Sequence, residues 1–221
     1  MTFSNSSNKT CNICGTTTSE LNDPQLKVTY SVCTECEFIY KDIENHVSLE
    51  QEHKEYKNHN NSFESKGYVQ MFERFINDYI KPLHIKGVGL EYGSGPGPVL
   101  KELLSREGFT MYDFDPFFNP NEEYKVRTYD LITSTEVVEH FVDPIKEFKH
   151  LASLLKDDGY LVLMTNFHFN DHDLFLKWWY RRDFTHISFY TPKTFLRIAK
   201  ICKLDFVGHN SKNVVILKKA L

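Results

Sequence analysis

Apolar residues recur along the chain with two distinct periods. Tyr68, Met71, Phe72, Phe75, Ile76, Tyr79 and Ile80 return at helical spacing and stop at Lys81-Pro82, which predicts a helix over that span. Ile145, Phe148, Leu151, Leu154 and Leu155 predict a second helix, with Asp143 as its N-cap, Pro144 in its first turn and Gly159 just past its end. Short apolar runs at residues 87–92, 110–114, 131–133 and 161–165 read as strands. Phe206-Val207 and residues 214–217 flank a polar turn and predict a closing hairpin. Strands alternating with helices and ending in an antiparallel pair predict an α/β fold, a doubly wound, mostly parallel sheet with a C-terminal antiparallel hairpin.

Between residues 45 and 65 the pattern lapses into Asn, His, Glu and Lys. That lapse divides the chain into a small module at 1–45, a linker at 46–65 and the α/β domain at 66–221. With 221 residues, 41% of them hydrophobic and 25% charged, there is material for a full core. The formal charge is −4, and residues 1–60 carry 5 Lys against 9 acids, which disfavours a nucleic-acid partner. No apolar run approaches the roughly 18–20 residues of a membrane span. The opening Met1-Thr2-Phe3-Ser4-Asn5-Ser6-Ser7 has neither a basic nor an apolar leader region, so a cytoplasmic location is expected.

Four of the five cysteines form two Cys-x2-Cys pairs, Cys11/Cys14 and Cys33/Cys36, with 18 residues between them. Each such turn aims two thiolates at one point, and two turns brought together complete a tetrahedral shell for Zn²⁺. Leu26, Val28 and Tyr30 alternate like a strand leading into the second pair, so the module reads as zinc-ribbon-like with a structural zinc. Glu37 stands where a glycine would be expected after the second pair. Cys202, in an apolar-periodic stretch, reads as a small buried hydrophobe.

The remaining chemistry gathers around Gly93-Ser94-Gly95-Pro96-Gly97-Pro98, set between a strand and the helical residues 99–106. A glycine turn in that place lets the backbone approach a nucleoside cofactor at a helix N-terminus. Proline at position 98 spoils a dinucleotide fingerprint, which makes NAD the poorer fit, and no Lys-Ser/Thr pair closes the loop as a P-loop requires.

Glu91-Tyr92-Gly93-Ser94-Gly95-Pro96-Gly97 resembles motif I of class I S-adenosylmethionine-dependent methyltransferases. Residues 129–140 resemble the fourth strand and following turn of that family, and residues 154–163 its fifth-strand lead-in. The resemblance implies a Rossmann-like enzyme that moves a methyl group from S-adenosylmethionine to a small-molecule or carbohydrate-like acceptor. A non-catalytic S-adenosylmethionine-binding or protein-interaction module is the alternative. It assigns Glu91, Tyr92, Gly93, Gly95 and Gly97 to the cofactor, and gives the ribose to Asp115, 20 residues past the middle glycine, with Asp113 as its rival. Only 14 residues separate Asp115 from Asp130, too few for the family's next helix and strand, so Thr135 and Glu136 take the place of the missing adenine contacts.

A base for the acceptor would come from His140 or His186. Trp178, Trp179 and Tyr180 fall where the family builds its acceptor pocket and could wall a ligand, with Arg181 or Arg182 to pair with a phosphate or carboxylate on it, while at least one of the two Trp residues is expected in the core. His168, Asp171, His172 and Asp173 have ligand chemistry but read as an ordinary polar loop.

Overall fold

The computed structural model describes residues 9–57 and 61–220. The Met1 to Ser7 stretch considered above as a leader, and residues 58–60 of the polar segment, lie outside the described residues. Strands β1 (Ser19–Asp23) and β2 (Val28–Val32) form an antiparallel hairpin, and β3 (Ile39–Lys41) adds to it. Asp23 shapes the hairpin turn by accepting the Gln25 and Leu26 N–H groups at 2.8 and 3.1 Å. Helix α1 (Leu49–Tyr56) lies inside the segment expected to be a linker. Its start is a capping box in which Ser48 and Gln51 satisfy each other's backbone N–H groups, so Ser-x-x-Gln was the available signal. Helix α2 (Lys66–Phe75) continues through one π-turn to Ile80 and buries Phe72, Phe75, Ile76 and Ile80.

The main sheet follows. Strand β4 (Val88–Tyr92), helix α3 (Val99–Arg106), β5 (Thr110–Phe114), β6 (Tyr129–Thr135), α4 (Pro144–Leu154) and β7 (Leu155–Met164) make a parallel core in the order β5-β4-β6-β7. Between β5 and β6 the described chain has only a 3-10 turn at Glu122–Val126, which agrees with the shortened interval. Helix α5 (His172–Lys177), strand β8 (Ser188–Phe189) and helix α6 (Pro192–Cys202) lead to the hairpin β9 (Leu204–His209) and β10 (Val214–Lys219). Strand β10 runs antiparallel to β7 and β9, completing six strands.

Alternation along the strands sorts the core onto two faces. Leu131 and Val162 join Phe72, Phe75, Leu100 and Leu103 under α2 and α3. Ile132, Leu161 and Leu163 join Phe148, Leu151, Phe195 and Ile198 under α4 and α6. The fold is therefore the expected doubly wound α/β sheet with its antiparallel hairpin. One expectation fails locally: α4 ends at Leu154 and β7 starts at once, so Gly159 is not a helix stop. It sits where a Cβ would come within 2.8 Å of the Tyr129 carbonyl, beside a register shift between Tyr129 and Leu131.

The N-terminal unit does not close on itself. Its fourth strand is β8, whose Ser188 and Phe189 pair with Tyr40 and Ile39 of β3, far earlier in sequence, in the order β1-β2-β3-β8. Thr194 of α6 donates to the Cys36 carbonyl at 2.8 Å, and His168 meets the Glu37 carbonyl at 2.7 Å. Glu37 occupies a left-handed φ of 62°, the conformation for which glycine was expected, and its carboxylate takes the Thr191 hydroxyl at 2.9 Å and Lys193 at 3.4 Å. The side chain that replaces glycine thus docks the module onto α6.

Candidate functional site

The loop after β4 turns sharply because Gly93 and Gly95 take φ of 81° and 65°. At Gly93 a Cβ would stand 2.3 Å from a Val137 methyl, so the loop also packs directly on the segment that follows β6. The Gly93 N–H donates to the Phe114 carbonyl at 2.7 Å, and the Gly95 N–H to the Asp115 carboxylate at 2.8 Å. These bonds hold the glycine loop against the end of β5, in the crevice where the strand order reverses beside β4.

Asp115 is buried, and its other oxygen accepts the Phe117 and Phe118 N–H groups at 2.9 and 3.0 Å. Its rival Asp113 also meets the loop, accepting from the Ser94 hydroxyl at 3.4 Å, and is paired with Lys101 at 2.5 Å and Asn119 at 2.8 Å. Glu91 is buried with its carboxylate on the Lys101 N–H at 2.7 Å, where it caps the third residue of α3 in place of Pro98, whose ring cannot. Burial pushes the Glu91 carboxyl up to about 8. The Tyr92 ring points away from the loop, to Glu147 on α4 at 3.0 Å, so only its backbone borders the crevice.

The loop is covered from outside. A Cβ on Gly97 would fall 1.7 Å from the Asn61 carbonyl oxygen, and one on Gly95 would fall 2.8 Å from the Asn61 amide nitrogen. Next to it His53 of α1 stacks on Phe117 at 5.0 Å, and Tyr56 meets Phe117 at 5.6 Å and His140 at 5.4 Å. Asn61 and helix α1, both within the segment expected as a linker, therefore pack beside the crevice. A cavity of about 550 Å³ lies between the cysteine module and the Val142-Asp143 turn, lined by Lys9, Tyr40 and Asp42 among others.

Past β6 a second polar cluster forms. Thr135 ends the strand beside Met164, and Glu136 takes a left-handed φ of 53° while its N–H holds the Met164 carbonyl at 2.7 Å. The Tyr180 hydroxyl bridges Glu136, at 2.9 Å, and Glu139. Glu139 is fully buried, and burial together with Glu136 pushes its carboxyl well above the usual range. His140 and His186 pack ring to ring at 4.9 Å, with His186 Nε2 4.0 Å from Glu139 and 3.7 Å from Asp183.

The residues expected at an acceptor pocket part company. Tyr180 joins the cluster, and Trp179 lies outside it with 64% of its surface exposed. Arg181 turns the other way: it is 1% exposed, ion-paired with Asp23 at 3.2 Å and bonded to Gln25 at 2.8 Å. A single residue step reverses direction in the short 3-10 turn at Tyr180–Arg182. His168 is likewise spoken for, since Asn170 donates to its Nδ1 at 3.1 Å while Nε2 meets Glu37. Asp171 caps α5 by accepting the Leu174 N–H at 2.9 Å. Glu139 was missed as a site residue; its position one residue before His140 and three after Glu136 was the signal.

In the N-terminal module the sulfurs of Cys11 and Cys36 lie 3.6 Å apart and those of Cys14 and Cys33 3.5 Å. A tetrahedron with metal–sulfur bonds of about 2.3 Å has edges of about 3.8 Å. All four sulfurs lie within 4.8 Å of one another, a donor set suited to a tetrahedral thiolate metal.

A family model described as a methyltransferase domain matches residues 55–201. No curated protein sequence matches the chain. Among solved structures, the magnesium protoporphyrin IX methyltransferase of Synechocystis, with bound S-adenosylhomocysteine, aligns at TM-score 0.49 and 13% identity, over 78% of this chain and 94% of that one. A putative S-adenosylmethionine-dependent methyltransferase from Methanococcus maripaludis aligns at 0.48 and 14%, over 78% and 92%. An O-methyltransferase family protein from Burkholderia thailandensis aligns at 0.48 and 12% over 69% of this chain, which spans 57% of that protein's length.

Proposed function

The chain belongs to the methyltransferase-domain family, as a class I S-adenosylmethionine-dependent methyltransferase, and we propose that it methylates a small-molecule or carbohydrate-like acceptor held at the cluster after β6. The observation that carries this reading is the bond from the Gly95 N–H to Asp115, which shapes a glycine loop and a carboxylate into one cradle at the carboxyl ends of β4 and β5. In that cradle the backbone of residues 93–97 admits the cofactor and Asp115 offers carboxylate oxygens to the ribose. Glu91 acts indirectly, by anchoring the start of α3 beneath the loop. When bound, S-adenosylmethionine supplies an electrophilic methyl group on a sulfonium.

The chain's own task is then alignment and exclusion of water. Asn61 stands over the loop and α1 packs on Phe117, so both help exclude water from the cradle. On the far side of Val137, His140 and His186 stand where an acceptor's proton would be taken up, beside the Tyr180 ring. The four thiolates hold a structural zinc, which suits a reducing, cytoplasmic setting. Among the described residues no helix is long and apolar enough to cross a membrane.

Titration calorimetry with S-adenosylmethionine tests the cradle. Wild type should bind, and Asp115→Ala should weaken binding at least tenfold, whereas a folded wild type that binds neither this cofactor nor its demethylated product ends the proposal. Label transfer to a metabolite pool then separates an enzyme from a module that only binds.

A further inference from the structure

The cavity of about 550 Å³ opens where the cysteine module meets the turn before α4. It falls within the range of about 300–1,000 Å³ in which ligand pockets occur. Two parts of the chain build it. The module contributes Tyr40 of β3 and the 3-10 turn Ile43–Asn45, and the sheet domain contributes Val142 and Asp143. The two walls are pinned together, since the Tyr40 hydroxyl donates to the Val142 carbonyl at 3.2 Å. Asp42 is fixed as well: one oxygen accepts the Ser31 hydroxyl at 3.0 Å and the other the Lys9 ammonium.

The lining has two characters. Ile43 and Val142 are 72% and 55% exposed and stand beside the half-buried Tyr40 ring. Isolated exposed aliphatic residues are ordinary, but these two flank one opening from separate parts of the chain. The charged residues of the lining are one ammonium, Lys9, and three carboxylates, Asp42, Glu44 and Asp143. Lys9 reports that field: its bond to Asp42, with Glu44 and Glu20 adding to it, holds the ammonium above its usual pKa. One cation is already seated there, and it leaves the carboxylates in excess.

We propose that this cavity docks a lysine or arginine side chain carried on a basic segment of a partner protein. Lys and Arg lay a methylene stem along apolar surface and carry their charge beyond it, which matches an apolar rim around carboxylates. A guanidinium or ammonium is also attracted to the face of a tyrosine ring. An anionic group would instead meet repulsion from Asp42, Glu44 and Asp143. The exposure of Ile43 and Val142 puts the opening at the surface, where a side chain borne by another chain reaches it, and anchors that fill such pockets dominate the energetics of protein interfaces. Residues 1–60 carry 5 Lys against 9 acids, so the field around the opening favours the same sign of partner. This docking role stands apart from the methyl-transfer reading.

Amide NMR on the isotope-labelled, reduced full-length chain tests it at low salt with three acetylated tetrapeptide amides, Leu-Arg-Leu-Lys, Leu-Gln-Leu-Gln and Leu-Glu-Leu-Glu. The basic peptide should give saturable shifts at Tyr40, Ile43, Glu44 and Val142, with at least tenfold weaker binding of the Gln peptide and none of the Glu peptide. Glu44→Gln and Val142→Ser, both at exposed positions, should each weaken the basic peptide at least threefold, whereas Asp157→Asn, which removes a likewise exposed charge outside the lining, should leave its affinity unchanged. The proposal is overturned if no saturable shift reaches the lining, if the Gln peptide binds as tightly as the basic one, or if Asp157→Asn weakens binding as much as Glu44→Gln, which would reduce the effect to net charge. Lining shifts that follow protein concentration without peptide would also overturn it, by giving the face to a second copy of the chain.

Discussion

Replacing Arg181 with methionine should destabilise the protein severely, and restoring balance at Asp23 should undo most of the loss. The two side chains are 1% and 0% exposed and meet at 3.2 Å, where the 3-10 turn after α5 contacts the hairpin turn of the N-terminal unit. Asp23 has its Oδ1 satisfied by two backbone N–H groups, but Oδ2 has only the guanidinium. Tyr30 is buried nearby, its hydroxyl without a partner, and burial together with Asp23 pushes its phenol well above the usual value. Without Arg181 the carboxylate would be left charged in a dry site, a loss of about 3–5 kcal/mol. Against a total stability of about 5–15 kcal/mol that is a large fraction. With a urea slope of about 2–3 kcal/mol per molar, the midpoint should fall by about 1–2.5 M. Asp23→Asn alone should cost a similar amount, because it strands the guanidinium. The double variant should return to within about 1–2 kcal/mol of wild type, since a buried pair replaced by neutral groups is often close to neutral. Urea melts of the four proteins, followed by circular dichroism, measure the coupling. Single variants within about 1 kcal/mol of wild type, or additive losses in the double variant, would refute the account.

Two further outcomes follow from the joint between the N-terminal unit and the sheet. Burial holds the His168 imidazole down to about 4, and its neutral form both donates to Glu37 and accepts from Asn170. The unfolded chain takes up that proton first, so stability present above pH 6.5 should fall by about 1.4 kcal/mol per unit as pH drops toward 4. His168→Asn, which cannot protonate, should lack that slope in denaturant melts at pH 7 and 5; parallel slopes would count against it. Separately, the purified chain should carry one zinc on its thiolates. Stripping it with a strong chelator should red-shift tryptophan emission, since buried Trp178 packs 6.2 Å from Phe189 of β8 and 5.0 Å from Tyr180. Emission that stays put after metal release would sever that link.

The parallel sheet and the glycine turn after β4 were legible because each rests on local pattern. Glycines at alternate positions, an acid at a strand end and apolar runs of strand length are all read within short windows, as are the paired cysteines. What escaped depends on contacts distant in sequence. Helix α1 has no buried residue and shows no apolar stripe, so only its capping box betrayed it. Strand β8 is two residues long and exists because β3 offers an edge. Arg181 was read with its neighbours Trp179 and Tyr180, yet its partner is Asp23, far earlier in the chain. Glu139 gains meaning only when His186 is brought back beside it by the Ile187 bond.

The pairing of β3 with β8 makes the cysteine module a brace for the cluster around His186 and not for the glycine loop. Ser188 and Phe189 lie two and three residues beyond His186, whereas Gly95 and Asp115 belong to the parallel sheet. On the proposed function, oxidants or zinc-scavenging conditions that dismantle the thiolate knot would slacken the acceptor side first, leaving a protein that still captures its methyl donor but has lost its grip on whatever receives the methyl.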